Sequence, residues 1–306
     1  DPLKSPYIRI AADVNNDGWA DIFSTDMMPF DPAVAQVSAG EDSDQIKMIK
    51  KDFGFQPQSA RNHFQINQQN GTYSDVAFMT KTFATDWSWS VLLQDFDNDM
   101  FADIFITNGI VKRPNNLDYI NYLNEYDNKN PNVTPERTKK LIENMPSEPL
   151  KNLLFRHKGN LEYTDISESF IGKPSFSTGA AYADLDNDGD LDIVTNNINE
   201  KAFVYQNKTS GKSYLNVHLK GNESYKNVKG SKVTLYSGEH TITKELQTTK
   251  GFLSSSSSKL HFGLDNLTKV DSLVITWSDR NTQTITNVAI NKEMIIDRPD
   301  ISQLKK

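Results

Sequence analysis

The chain contains no cysteine, which excludes a disulfide scaffold, a thiolate zinc site and a cysteine nucleophile. Histidine is scarce. The five present, His63, His157, His218, His240 and His261, are scattered without metal-ligand spacing and read as strand or turn residues. No apolar run approaches the roughly 20 residues that a membrane-spanning helix needs. Positive charge is in deficit, with 33 Lys and Arg against 40 Asp and Glu and a net charge of -7. That balance argues against nucleic acid or an anionic membrane as the main partner. The sequence opens on Asp1-Pro2 with no apolar leader, so the expectation is either a removed leader or a piece of a longer protein.

What the sequence does contain is a repeat. Asp13-Val-Asn-Asn-Asp-Gly-Trp-Ala-Asp21, Asp95-Phe-Asp-Asn-Asp-Met-Phe-Ala-Asp103 and Asp184-Leu-Asp-Asn-Asp-Gly-Asp-Leu-Asp192 align without gaps. Each follows a small or apolar stretch and leads into a β-rich run: Ile22–Thr25, Ile104–Thr107, Ile193–Thr195. Two more strand-like pieces follow the first two units: His63–Asn67 and Tyr73–Ala77, then Asn152–Phe155 and Tyr163–Ile166. After the third unit only Ala202–Gln206 has this character. Asn70-Gly71 and Gly159-Asn160 are hairpin turn signals between such pieces. The unit is four short antiparallel strands, with an acidic loop between the first two.

The loops start 82 and then 89 residues apart, and strand-poor insertions occupy about 27–60 and 109–151. Removing these leaves repeats of about 48 and about 46 residues, the size of a four-stranded propeller blade. The insertions read as helical. Ile46, Ile49 and Phe53 sit at helical spacing after an Asp42-Ser43 cap; Leu117–Leu123 is a second short helix, and Thr134-Pro135 opens a third that Pro146 closes. Two roles are open for them: decorating a binding face, or covering exposed strand edges.

In each loop, positions one, three, five and nine carry oxygen side chains: Asp13, Asn15, Asp17, Asp21; Asp95, Asp97, Asp99, Asp103; Asp184, Asp186, Asp188, Asp192. Position seven would add a backbone carbonyl, from Trp19, Phe101 and Asp190. A hard cation with six to eight oxygen ligands at 2.3–2.6 Å needs this clustering, which makes Ca2+ the expected ion at about three structural sites. Gly18 and Gly189 at position six permit a sharp turn, whereas Met100 predicts a strained or weaker middle loop. An EF-hand needs a Glu at position twelve, and Ser24, Ile106 and Thr195 stand there instead. Without metal, carboxylates this close repel one another. The ligands fill the coordination shell and leave no open position for chemistry, so the ions are structural.

From Tyr214 the pattern changes to closely spaced alternating strands: 214–219, 232–236, 240–246, 260–262, 270–277 and 284–288. These predict a compact β-sandwich or barrel. Ser254–Ser258 reads as low complexity, with no nucleophile elbow. The domain division is 1–210 for the blades and 211–300 for this β-domain.

The three loops resemble the FG-GAP/VCBS repeats of integrin α-subunit propellers. Val228–Tyr236, Gln247–Ser255, Leu260–Leu264 and Val270–Trp277 resemble the ASPIC/UnbV domain. Together they resemble cartilage-acidic-protein-like secreted proteins of the Bacteroidetes type, with Met100, Asp265 and Ser278-Asp279 departing from that pattern. The resemblance implies an all-β chain: a partial propeller of three calcium-loop blades with helical insertions, plus the C-terminal sandwich or barrel. It also implies further blades upstream, since three would leave open edges.

No catalytic set is legible, so the expected function is non-catalytic: a calcium-stabilised binding or scaffold protein, extracellular or at a bacterial outer-membrane surface. Its partner would be a protein or a carbohydrate. Trp87 and Trp89, two apart on one strand, are either a sugar-stacking platform or core. One alternative is a polysaccharide lyase on a calcium-bearing propeller, with Arg61, His63 and Tyr119 as candidates. That alternative rests on fold analogy. Another is a subunit of an envelope assembly, docking through Tyr119, Tyr122 and Leu123.

Overall fold

A computed structural model describes residues 9–39, 42–55, 59–129, 132–170 and 172–300. The first repeat folds into β1 (Arg9–Ala12), β2 (Asp21–Ser24), β3 (His63–Asn67) and β4 (Tyr73–Asp75), hydrogen-bonded in that order. The second gives β5 (Ser88–Gln94), β6 (Asp103–Asn108), β7 (Leu153–His157) and β8 (Tyr163–Asp165), again consecutive and antiparallel. The third gives three strands, β9 (Ser177–Ala183), β10 (Asp192–Asn197) and β11 (Phe203–Tyr205). The acidic loops join β1 to β2, β5 to β6 and β9 to β10.

Blade packing follows from the two-residue period of a strand. Val91, Leu93, Ile104, Ile106, Leu153 and Phe155 share one cluster with Ile10, Phe23, Phe64 and Ile66 of the first sheet. The alternate residues Leu92, Phe105 and Leu154 share another with Ala180, Tyr182 and Ile193 of the third. The middle sheet is therefore buried on both faces, and β6 is an unbroken buried run.

The insertions leave the opposite end of the strands from the acidic loops. The first holds α1 (Pro32–Val37) and α2 (Asp44–Asp52), the latter capped by Ser43. The second holds α3 (Leu117–Lys129) and α4 (Pro135–Asn144), where the Thr134 hydroxyl accepts the Arg137 amide at 3.2 Å. The sequence places a short helix at 117–123; it runs on to Lys129. The two insertions touch. Ala39 N–H donates to the Asn115 carbonyl at 2.7 Å, and the buried pair Arg113 and Asp86 joins them to the second blade at 3.0 Å. Tyr119 is buried, its hydroxyl donating to the Leu141 carbonyl at 3.1 Å. A fifth short helix, α5 (Ser167–Phe170), follows β8.

The C-terminal stretch adds two sheets. One contains β12 (Ser213–Lys220), β15 (Leu260–Asp265) and β18 (Lys292–Asp297). The other contains β13 (Lys232–Ser237), β14 (His240–Glu245), β16 (Val270–Thr276) and β17 (Thr282–Val288). Strand β18 lies outside the strands expected from sequence, and it pairs in parallel with β12. Both sheets contribute to one core, with Leu215, Val217, Phe262, Val233, Leu235, Leu273 and Trp277 fully or almost fully buried. The chain is thus all-β, its five sheets in a β-propeller arrangement. The loop count yields three blades; the two further sheets come from the C-terminal stretch. No helix among the described residues is long and apolar enough to cross a membrane.

The serine-rich segment has a packing role. Ser256 Oγ accepts the Tyr182 amide at 3.3 Å, and Ser257 N–H donates to the Tyr182 carbonyl at 3.3 Å, covering the free edge of β9. Phe252 N–H donates to Ser90 Oγ at 3.2 Å, and the Phe252 ring lies 4.8 Å from Trp89. Trp89 is accordingly covered, and its indole N–H donates to the Gly109 carbonyl.

Candidate metal centres in the acidic loops

The three loops share their hydrogen bond at position five, and the first two also share those at position one. At position five, the carboxylate accepts the amide of position seven: Asp17 from Trp19 at 2.8 Å, Asp99 from Phe101 at 2.9 Å, Asp188 from Asp190 at 3.2 Å. At position one, Asp13 accepts the amides of Asp17 and Gly18 at 3.0 and 2.9 Å, and Asp95 those of Asp99 and Met100 at 3.0 and 2.8 Å. Position four is left-handed in every loop, at Asn16, Asn98 and Asn187 with φ near 60°. So is position six, where Gly18 and Gly189 have φ of 86° and 95°. Met100 adopts φ of 80° there, a strained value for a side-chain-bearing residue. Its side chain packs against the C-terminal core, which offsets that strain.

Asp95, Asp97 and Asp99 offer oxygens that all lie within 4.8 Å of one another, and so do Asp184, Asp186 and Asp188. Oxygens around one calcium ion are separated by up to about 5 Å, given bonds of about 2.3–2.6 Å. Three oxygens of these two loops are buried with no hydrogen-bond partner among the described residues: Asp97 Oδ1, Asp184 Oδ1 and Asp190 Oδ1. Orphaned carboxylate oxygens of this kind are costly unless a cation meets them. The donor set therefore fits a hard divalent ion in the second and third loops. In the first loop Asn15 supplies the third position, its amide N–H donating to Asp17 at 3.1 Å.

Electrostatics point the same way. Burial pushes Asp95 up to about 7, and Asp13 and Asp99 up to about 6, in each case against amides that pull the other way. Asp190 rises to about 7 through burial and the neighbouring Asp188 charge. Asp103 is pushed well above the usual carboxylate range by burial and by Asp97 and Asp95. Asp21 and Asp184 are raised as well, mainly by burial.

The position-nine aspartates are placed differently. Asp21 accepts the amides of Val14 at 3.0 Å and Asn67 at 2.9 Å. Asp103 accepts those of Phe96 at 3.0 Å and His157 at 2.9 Å; Asp192 those of Leu185 at 2.9 Å and Asn207 at 2.8 Å. Each carboxylate pins the loop to the end of the third strand while keeping a lone pair on each oxygen. Side chains from the same strand end reach the loops: Gln69 donates to Asp17 at 3.2 Å, Gln206 to Asp186 at 2.7 Å, and Arg156 pairs with Asp97 at 3.0 Å.

The second and third loops are also the seat of the C-terminal sheets. Asp265 N–H donates to the Asn98 carbonyl at 2.8 Å. A Cβ on Gly263 would sit 2.0 Å from Asp95 Oδ2, and one on Gly189 would sit 2.0 Å from the Tyr214 ring. Asn98, Asn216 and His261, all buried here, were not legible as site residues. Their one sequence signal was the Asn shared at position four of every loop.

Residues 221–303 match the ASPIC and UnbV family model. No curated protein matches the chain. The matched segment takes in β13 to β18 and excludes the three acidic loops.

Of the lyase candidates, Arg61 and His63 converge on Asp75. Arg61 Nη2 lies 2.8 Å and His63 Nδ1 2.7 Å from Asp75 Oδ2. Tyr119 does not join them, being packed between α3 and α4.

Proposed function

We propose that this chain is a calcium-stabilised, non-catalytic binding or scaffold protein of the cell exterior, engaging a protein or glycan partner. On this reading the first three sheets are blades of the FG-GAP/VCBS type, each holding one Ca2+ in its acidic loop. Asp95, Asp97 and Asp99, and Asp184, Asp186 and Asp188, would supply side-chain oxygens, and Asp13, Asn15 and Asp17 their counterparts. Asp21, Asp103 and Asp192 would hold the loop in shape and share their remaining lone pairs. The carbonyls of Trp19, Phe101 and Asp190 would complete the shells. Three such ions bring six positive charges and move the net charge from -7 to -1.

The observation that carries this reading is the set of position-five and position-nine hydrogen bonds common to the three loops, with clustered carboxylates and buried orphaned oxygens in the second and third. Millimolar calcium outside cells suits shallow loops of this type, which supports an extracellular or outer-membrane-surface location. The last two sheets, sharing one core, support a C-terminal sandwich of the ASPIC/UnbV type. The test is elemental analysis of the purified protein with a thermal melt in calcium and in EDTA. Three ions per chain and a large EDTA-induced drop are expected. A metal-free protein melting identically in both would overturn the reading. A glycan and pull-down screen then addresses the partner.

The lyase alternative draws on Arg61, His63 and Asp75 meeting at one point. Turnover of an acidic glycan that His63→Ala abolishes would favour it.

A further inference from the structure

Beside the first acidic loop lies a partly enclosed cavity of about 130 Å³, where the first three sheets meet the C-terminal ones. Asp13, Gln94 and Tyr182 form one side, and the ammonium-bearing chains of Lys232, Lys244, Lys250 and Lys259 line the other. Two of these cations are paired: Lys232 lies 3.7 Å from Glu245, and Lys259 lies 2.6 Å from Glu293. Among the described residues the other two form no ion pair. Lys250 Nζ donates to the Tyr182 hydroxyl at 2.8 Å. Lys244, paired in register with the buried Val233, extends inward until its ammonium stands 5.6 Å from the Phe262 ring centroid. Among the described residues it has no hydrogen-bond or ion-pair partner.

Two half-buried ammonium groups without a counter-ion in one small cavity repel each other. Burial lowers both lysines, and together with the Lys244 charge it brings Lys250 to about 8. Asp13, Asp95 and Asp103 attract Lys244 at longer range. Asp13 and Asp95 already accept two backbone amides each, and Asp103 likewise. A divalent ion in the loops would take up that negative charge and leave the lysines more exposed to one another. Four lysines against Asp13 and Glu245 leave the lining with an excess of positive charge.

We propose that this cavity is an anion site taking the carboxylate or sulfate group of an acidic sugar, clamped between the Lys244 and Lys250 ammonium groups. The volume holds about four waters, at about 30 Å³ each, so it admits the charged group and leaves the rest of a glycan outside. Gln94, Gln247 and Thr243 at the lining supply further polar contacts. The assignment to a sugar rests on the binding-module reading above; the anion site itself does not.

The test is calorimetric titration of the full chain with sodium sulfate, glucuronate and glucose, in saturating calcium and again in EDTA. Sulfate and glucuronate should compete for one site while glucose gives no heat. Lys244→Met and Lys250→Met should each weaken both anions about tenfold or more, with Lys173→Met, an exposed lysine elsewhere, unchanged. Because Lys244 makes no ion pair among the described residues, the melting temperature of Lys244→Met should hold or rise as binding falls, which a structural lysine would not do. Sulfate binding without glucuronate competition would overturn the sugar assignment. Equal affinities in wild type and Lys244→Met, or no heat from either anion up to about 10 mM, would overturn the site. The EDTA series separates this outcome from failure of the calcium reading.

Discussion

His261 Nε2 lies 2.6 Å from Asn98 Oδ1, joining β15 to the middle acidic loop at a point with almost no solvent access. The other ring nitrogen lies 2.8 Å from Asn216 Oδ1. The two amides continue outward: Asn98 donates to the Gly189 carbonyl at 3.1 Å and Asn216 to Asp184 at 3.3 Å. One imidazole therefore stands between two candidate ion loops and the C-terminal sheets, its single N–H in the uncharged form donating to one of the two amide oxygens. Burial and the nearby Lys244 charge lower the ring to about 3, which keeps it uncharged across the physiological range.

Replacing that ring should loosen the C-terminal sheets from the blades. His261→Leu removes the one N–H that the uncharged ring gives to the Asn98 or Asn216 oxygen and leaves that oxygen without its donor, at a cost of about 2 kcal/mol. Urea unfolding should show the loss, and limited proteolysis should cut between residues 205 and 213 faster than in wild type.

Position nine and position three of the same loop should behave oppositely. Asp103→Asn disturbs the amides of Phe96 and His157, so it should cost about 1–3 kcal/mol even in EDTA. Asp97→Asn touches no backbone amide among the described residues and loses only its half-exposed pair with Arg156, so its main cost should appear in calcium, with one fewer ion bound per chain. Melts of both variants in the two buffers check this.

Close approach makes Gly263 irreplaceable. Gly263→Ala drives a methyl into Asp95 Oδ2 and the Asn98 backbone, 2.5 Å from its Cα. The expected loss is about 3 kcal/mol or more. Gly18→Ala meets nothing within 4 Å and bears only the cost of φ 86°, about 1 kcal/mol. Denaturant midpoints should separate the two clearly.

Acidity should act with opposite sign on the metal-free and calcium-loaded chains. Asp13, Asp95, Asp99 and Asp190 have folded values near 6 to 7, against 3.8 for an ordinary Asp. The folded metal-free chain thus binds more protons than the unfolded one between about pH 4 and 7, and loses stability as pH rises through that window. In EDTA the melting temperature should fall from pH 5 to pH 8. Calcium needs these groups ionised, so its stabilising increment should be largest at pH 8 and shrink towards pH 5. Melts at four pH values in each buffer test both slopes.

Much of this molecule was legible before any coordinates. The period of the acidic loops placed β1–β2, β5–β6 and β9–β10, because strand alternation and turn-forming Asn and Gly act locally. Ser43 and Thr134 placed two helix starts for the same reason. The candidate ligands at positions one, three and five were legible because a curled loop brings close neighbours in sequence into contact. Residues far apart in sequence were not. Asn98 and His261 are separated by 163 positions, and no local pattern pairs them. The Ser254–Ser258 run reads as featureless until Tyr182 is set against it, and Lys244 as an ordinary strand lysine until the Phe262 ring is set 5.6 Å from its ammonium. Local sequence determined the strands, turns and acidic bends. Burial and charge pairing between remote segments, which only the folded chain creates, decided which of those bends carry the C-terminal sheets and where a cation is left without its anion.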